Sequence, residues 1–437
     1  MTDFWKTPQV KQLHIELTNA CNAACPMCVR FYRNSPLPRP DLTIGEITLE
    51  KFKEYFPPDM LSGLSKIMFC GTQGDPCMAS DTLEICKYIL KHTQYQKTSW
   101  WKPKEKSRFI LQMHTNGGMR NPEWWAELGA VFANCNSKDL MCWRLIFSID
   151  GLEDTNHIYR RNVKWKNLMA NAKAFIDAGG NAVWEYLIFE HNEHQIEDAC
   201  KLSEELGFVL FVPKRALGVD NGKNLTTMNA LNKEGQLDYV IRAPKNPENR
   251  NLQTTDETVI STNWHPFKFE DYRELKKNKS NENYEDKIDR VYEIINKEDT
   301  SKLDSCNITC KANVFVDDRE IFIDNFGRVL PCCYIGTHIN GISRDYKSLQ
   351  VHKHISDYGW DHFDLNKHSL KEILDAGHLN RVFADSWSKD SIKTGKMAYC
   401  SSICGEVSKI DRVYFQPTEE LIIKQNSILA PSVTATK

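Results

Sequence analysis

The sequence predicts an α/β fold: a run of strand–helix repeats followed by a small, cysteine-rich α+β domain. Three observations predict it. Over residues 1–215, short apolar runs alternate with amphipathic stretches of helical period. Residues 216–305 are rich in Asn, Lys, Glu and Asp, include Pro244, Pro247 and Pro266, and lack long apolar runs. Cys306, Cys310, Cys332, Cys333, Cys400 and Cys404 then gather within residues 306–415.

Strand candidates in the first part are Leu13–Thr18, Lys66–Cys70, Phe109–His114, Trp143–Ile149, Ala182–Phe189 and Val209–Val212. Between them, Asp81 with Glu84 reads as a capping box, and Asn121 before Pro122 as an N-cap followed by proline at the first helical position. Trp165–Ala178 and Glu193–Leu206 carry apolar residues at helical spacing and end at Gly179 and Gly207. Such repeats imply a parallel sheet with right-handed crossovers. Periodicity alone fits both a partly closed β/α barrel and an open doubly wound sheet. Residues 216–305 read as an irregular connecting segment with some helix around Tyr284–Asn296. A connection this long in a compact protein suggests a covered site. Residues 306–415 form the smaller unit, with strands near Asn313–Val316 and Ile321–Ile323, and 416–437 a polar tail.

Composition narrows the function. The 437 residues include 56 basic and 58 acidic ones, so the chain does not neutralise nucleic-acid phosphates as its main business. No apolar run reaches the ~20 residues of a membrane helix, and residues 1–11 lack an apolar signal core. A soluble, cytoplasmic protein is the expectation. In a reducing compartment, clustered members of the 15 cysteines hold metal, while isolated ones such as Cys86, in register with Leu83 and Leu90, pack in the core.

The chemistry concentrates just past the first strand, in Cys21-Asn-Ala-Ala-Cys25-Pro-Met-Cys28. Three thiolates on one loop suit a cubane iron–sulfur cluster, each sulfur reaching a different iron and one iron staying open. A zinc site would ordinarily add a second Cys or His pair nearby, and none follows. In the C-terminal unit, Asn325-Phe-Gly327 makes a hairpin turn that directs Cys332 inward. Trp100-Trp101 and Trp124-Trp125 read as core or interface aromatics, and Lys276–Lys279 as a solvated charge run.

The Cys-x3-Cys-x2-Cys spacing after the first strand resembles the signature of the radical S-adenosylmethionine (SAM) superfamily. The resemblance extends along the repeats and implies a partial (β/α)6 TIM-like barrel. Cys21, Cys25 and Cys28 match the ligands of the SAM-binding 4Fe–4S cluster. Gly71-Thr-Gln-Gly74-Asp75-Pro76 is similar to the Gly-Gly-Glu-Pro turn whose carbonyls take the methionyl amine, with Gln73 and Asp75 as departures. His114-Thr-Asn116-Gly117 ends strand three. Ser148-Ile-Asp150-Gly151 ends strand four, where relatives contact ribose, and Arg160, with Arg161 adjacent, stands where relatives approach the SAM carboxylate. Met27 replaces a usual aromatic.

The resemblance implies reductive cleavage of SAM to a 5′-deoxyadenosyl radical, hydrogen abstraction from substrate, and an electron donor such as flavodoxin or ferredoxin. Residues 306–415 resemble the twitch form of the SPASM extension, which implies an auxiliary 4Fe–4S cluster on Cys310, Cys332, Cys400 and Cys404, with Cys306 and Cys333 as spare thiols, either of which could take the place of one of the four. A four-cysteine zinc site is the alternative. Such relatives modify peptides or proteins, the favoured substrate here, or oxidise or rearrange small alcohols, sugars or nucleosides. Two readings of another class stay open, a non-catalytic iron–sulfur electron carrier and a zinc-stabilised binding protein.

Overall fold

In a computed structural model of the chain, the described residues are 4–7, 9–70, 72–93, 109–134, 143–216, 219, 226–250, 260–261, 269–270, 273–274, 282–310, 312–315, 318–339 and 345–405. Gly71, Trp100, Trp101, Lys276–Lys279 and the proposed tail 416–437 lie outside them.

Six parallel strands form the frame: β1 (Val10–Ile15), β2 (Lys66–Phe69), β3 (Ile110–Thr115), β4 (Trp143–Ser148), β5 (Ala182–Ile188) and β6 (Leu210–Arg215), paired in sequence order. The predicted strands therefore all form, β1 starting and ending about three residues early because Leu17 and Thr18 leave the ladder for contacts with residues 45–47. The crossovers include α1 (Leu49–Tyr55), α2 (Pro58–Ser62), α3 (Thr82–Thr93), α4 (Pro122–Ala133), α5 (Asn156–Tyr159), α6 (Trp165–Asp177) and α7 (Ile196–Leu206). Asn121 caps α4 as its sequence predicts, its side chain accepting from Trp124 N ahead of Pro122. Asp81 behaves differently: its carboxylate accepts from Leu49 N at 2.8 Å, and Glu84 pairs with Lys87. That carboxylate joins α3 to the start of α1.

The two faces of the sheet differ in chemistry. Leu13, Ile67, Leu111, Leu145 and Phe147 are fully buried in the main core with Trp125 and Phe175 of the covering helices. Burial of each such side chain contributes roughly 1.5–3 kcal/mol. The alternate positions Gln12, His14, Lys66, Gln112, Arg144 and Glu185 carry polar groups to the other face, as the period of two requires. Some of them pair there: Arg144 donates to Gln112 Oε1 at 2.7 Å, Gln112 Nε2 lies 2.7 Å from His114 Nε2, and Lys214 pairs with Glu185.

Residues 216–305 are not uniformly irregular, because β7 (Thr226–Leu231) and β8 (Leu237–Arg242) make an antiparallel hairpin joined by β9 (Ile260–Ser261). Its turn uses Asn232, whose side chain accepts from Glu234 N and Gln236 N, and Gly235 at φ +81°. Nor do residues 306–415 stand as a separate unit. β10 (Asn313–Phe315), β11 (Asp318–Ile323) and β12 (Val329–Leu330) extend the main sheet, β11 lying parallel to β1 with Ile15 opposite Ile323. The rest is helical. Tyr346–Tyr358 packs with helices Glu282–Asp289 and Val291–Ile295 around Val291, Ile295 and Leu349. The C-terminal core thus begins before residue 306.

Candidate active site

The loop after β1 is held at both ends. Thr18 Oγ1 donates to Gly45 O at 2.8 Å, Asp75 N to Ala20 O at 2.8 Å, and Ala24 N to Arg161 O at 3.0 Å. A turn, Cys28 N to Cys25 O at 2.9 Å, then presents the second and third thiols together. Burial raises the Cys21 and Cys25 thiols above their ordinary range and Cys28 to about 11, with Cys25 adding to the rise at both Cys21 and Cys28. Deprotonation here requires a compensating cation or metal. Two guanidinium groups flank the loop. Arg160 Nη1 is 3.8 Å from Cys25 Sγ, and the buried Arg30 donates to Cys21 O at 3.2 Å.

Every strand-end residue singled out by its sequence motif is described except Gly71. Gly74 lies against the Cys21 loop: a Cβ there would stand 1.8 Å from Thr18 O, so only glycine permits the approach. Asp75, also buried, accepts from Cys77 N, Thr115 Oγ1, Asn116 N and Asn116 Nδ2 at 2.7–3.0 Å. Those donors occupy its lone pairs, so Asp75 braces the ends of β2 and β3. Asn116 Nδ2 also reaches Asn22 Oδ1 at 2.8 Å and Cys21 Sγ at 3.5 Å.

Past β4, Asp150 is fully buried and accepts from Arg160 Nε at 2.6 Å and Leu187 N at 2.7 Å. The pair joins the β4 end to the flank of Cys25. Ser148 is partly exposed, opposite Glu185 on β5. Among the described residues no three His, Cys, Asp or Glu side chains converge as the shell of one metal ion would. A cubane does not need that convergence, since it spreads its thiolates over separate irons. The donor set is soft, and Arg30 Nε and Gln73 Nε2 are buried without a protein partner. The residues fit a cluster and a polar ligand beside it.

A second cysteine group forms in the C-terminal part. Cys400 and Cys404 sit one turn apart on helix Ala398–Cys404. The bridge between Ile308 and Gly405, with Thr309 N donating to Cys404 O at 3.2 Å, brings Cys310 alongside. Cys310 shares a thiol hydrogen bond with Cys404, and burial with Cys404 nearby pushes Cys332 to about 12. Of the other two C-terminal cysteines, Cys306 Sγ donates to Lys302 O at 3.1 Å and lies against Gly405, and Cys333 lies near Cys332, Glu320 and Cys70. One residue that the motifs do not single out is Glu16, at the end of β1, whose carboxylate binds the 72–74 turn. Its signal was an acidic residue inside an otherwise apolar run, Ile15-Glu-Leu17.

Fold and site together describe a β/α protein that gathers a thiol-bearing loop at the C-terminal ends of its parallel strands, where such folds place their chemistry. Residues 15–203 match the family model of the radical SAM superfamily. Members of that superfamily are enzymes that use SAM with a 4Fe–4S cluster. Among solved structures, Streptococcus suis SuiB bound to S-adenosylmethionine is similar at 13% identity and a TM-score of 0.39, over 75% of this chain and 61% of SuiB. Native anSMEcpe with bound AdoMet is similar at 13% identity and a TM-score of 0.43, over 88% of each chain. BtrN in complex with AdoMet and 2-DOIA is similar at 10% identity and a TM-score of 0.35, over 89% of this chain and 92% of BtrN. This chain thus spans about three fifths of the length of SuiB. The search of curated proteins gives no match. No described helix is long and apolar enough to cross a membrane.

Proposed function

We propose that this protein is a radical SAM enzyme whose Cys21, Cys25 and Cys28 hold the SAM-binding 4Fe–4S cluster. The observation that carries it is the meeting of that loop with three strand ends: Gly74–Asp75 after β2, Asn116 after β3, and the Asp150–Arg160 pair after β4. Cluster and SAM together supply, when bound, a 5′-deoxyadenosyl radical for hydrogen abstraction. The chain's own groups do the positioning. Asp75 and Asn116 tie the turn beneath the methionyl end to the Cys21 loop. Arg160, oriented by Asp150, places a fixed positive charge beside Cys25 and toward the SAM carboxylate. Ser148 and Asp150 border the ribose. A reduced flavodoxin or ferredoxin serves as electron donor.

Cys310, Cys332, Cys400 and Cys404 hold an auxiliary 4Fe–4S cluster in this reading, and the substrate is a peptide or protein side chain. The 226–242 hairpin supports a covered mouth. Arg161 donates to Leu231 O at 2.9 Å and to Tyr239 Oη at 2.7 Å, and Asn34 Nδ2 to Asn229 O at 3.2 Å, so the hairpin edges the cluster loop. Metal analysis after anaerobic reconstitution tests the assignment, with about eight irons expected for two cubanes. Stoichiometric zinc without iron would sink it.

A further inference from the structure

Gln73 N and Gly74 N donate to one oxygen of Glu16, Oε1, at 2.6 and 3.0 Å, while Thr72 Oγ1 donates to Oε2 at 2.9 Å. The carboxylate is 1% exposed. It therefore grips three successive residues of the turn from the amide side. Peptide N–H groups bonded to an anion polarise their neighbouring carbonyls, and in a low-dielectric interior that effect is strengthened. Those carbonyls are the groups to which the reading above gives the methionyl amine.

We propose that Glu16 is a positioning residue for SAM: ionised, it fixes the 72–74 turn and makes its carbonyls stronger acceptors toward a cationic ligand. The inference rests on the SAM reading of that turn. Glu16 itself touches no ligand and acts through residues 72–74.

The surroundings make the charge titratable. Burial, opposed by the three hydrogen bonds, raises the Glu16 carboxyl to about 7, and Asp324 adds to the rise. Asp324 comes from the turn after β11 and is paired with Arg328 at 2.6 Å. The other titratable neighbour is Cys70 at the end of β2, whose thiol burial pushes to about 12, so it stays neutral. Glu16 N donates to Ile323 O at 2.9 Å, so the group is seated between the SAM turn and the strand that the C-terminal part adds to the sheet.

Sign and size follow. A carboxyl titrating near 7 is charged above that pH and neutral below it, so SAM affinity gained from the charge is present above pH 7 and lost on acidification. Glu16→Gln keeps an acceptor for both backbone N–H groups and removes the charge at every pH. Equilibrium binding of SAM to anaerobically reconstituted protein between pH 6 and 8 is the test. The amine of SAM titrates alike in both proteins, so the ratio of their Kd values isolates Glu16. The ratio should be near one at pH 6 and rise to about tenfold at pH 8, the effect of one pKa unit between free and bound states.

Thr72→Val supplies a second readout. It deletes one hydrogen bond to the ionised form, so the midpoint of the pH dependence should move upward. Parallel profiles for wild type and Glu16→Gln overturn the inference, as does an unmoved midpoint in Thr72→Val if Glu16→Gln does not fold. A wild type that loads iron but binds no SAM at any pH overturns both the inference and the reading beneath it. A wild type that binds SAM while the variant matches it overturns the inference alone.

Discussion

Gly74→Ala is the sharpest single perturbation of this site. The added Cβ would lie 1.8 Å from Thr18 O, 2.6 Å from Thr18 C and 2.7 Å from Asn19 Cα, all backbone atoms. No rotamer relieves such a contact, so the two loops must part by more than an ångström. Thr18 is fixed by its bond to Gly45 O, by the bridge to Glu46 and by the strand behind it, so the 72–75 turn yields. Overpacking of this kind costs about 1–3 kcal/mol, and where the strain is relieved by displacing the turn that takes SAM, binding loses a comparable amount, roughly 5- to 150-fold. SAM affinity of the reconstituted variant, measured by equilibrium dialysis, should fall by that order. Cluster content from Cys21, Cys25 and Cys28 should be kept. Gly63→Ala is the control, since its Cβ would meet only Met60 O at 3.5 Å. Wild-type SAM affinity in Gly74→Ala would refute the packing argument.

Two further variants test the polar frame and the second cysteine group. Asp150→Ala leaves Arg160 without its ion-pair partner and Leu187 N without an acceptor; SAM binding should weaken with iron content intact, and unchanged binding would show that the strand-four assignment is wrong. Changing Cys400 and Cys404 to Ala should remove about four irons, one cubane, and abolish product while some 5′-deoxyadenosine formation survives. Circular dichroism and iron content distinguish this from unfolding, and a folded variant with normal product formation would make the second site merely structural.

Local rules carried the frame. β2, β4 and β5 begin at the residues expected from their sequences, Lys66, Trp143 and Ala182, and the Asn121-Pro122 pair caps α4. These are near-neighbour effects, written within a few residues. β11 was legible as a strand, but not as a partner of β1, because Ile15 and Ile323 lie some 300 residues apart and periodicity names no partner. The Thr226–Leu231 strand was hidden for another reason. Its Thr-Thr-Met-Asn-Ala-Leu run has neither clear alternation nor strong β-formers, and it gains its place by pairing with Leu237–Arg242.

The site divides the same way. Cysteine spacing pointed to one loop, and glycine and acidic residues pointed to strand ends. Their pairings were invisible. Asp75 stands out in its motif, but the partners of its carboxylate, Thr115 and Asn116 at the end of β3, follow from tertiary placement. Glu16 carries no motif in the sequence, and its role follows only from the turn that it grips.

The central claim is that this chain cleaves SAM at the cluster held by Cys21, Cys25 and Cys28. Its most direct test is the assay of 5′-deoxyadenosine and methionine after anaerobic reconstitution and reduction with dithionite. The wild type should form both products slowly even without substrate. The variant with Cys21, Cys25 and Cys28 replaced by Ala should form neither while retaining about four irons on the second site. An iron-loaded, folded wild type that leaves SAM intact would contradict the account, as would equal cleavage by the triple variant.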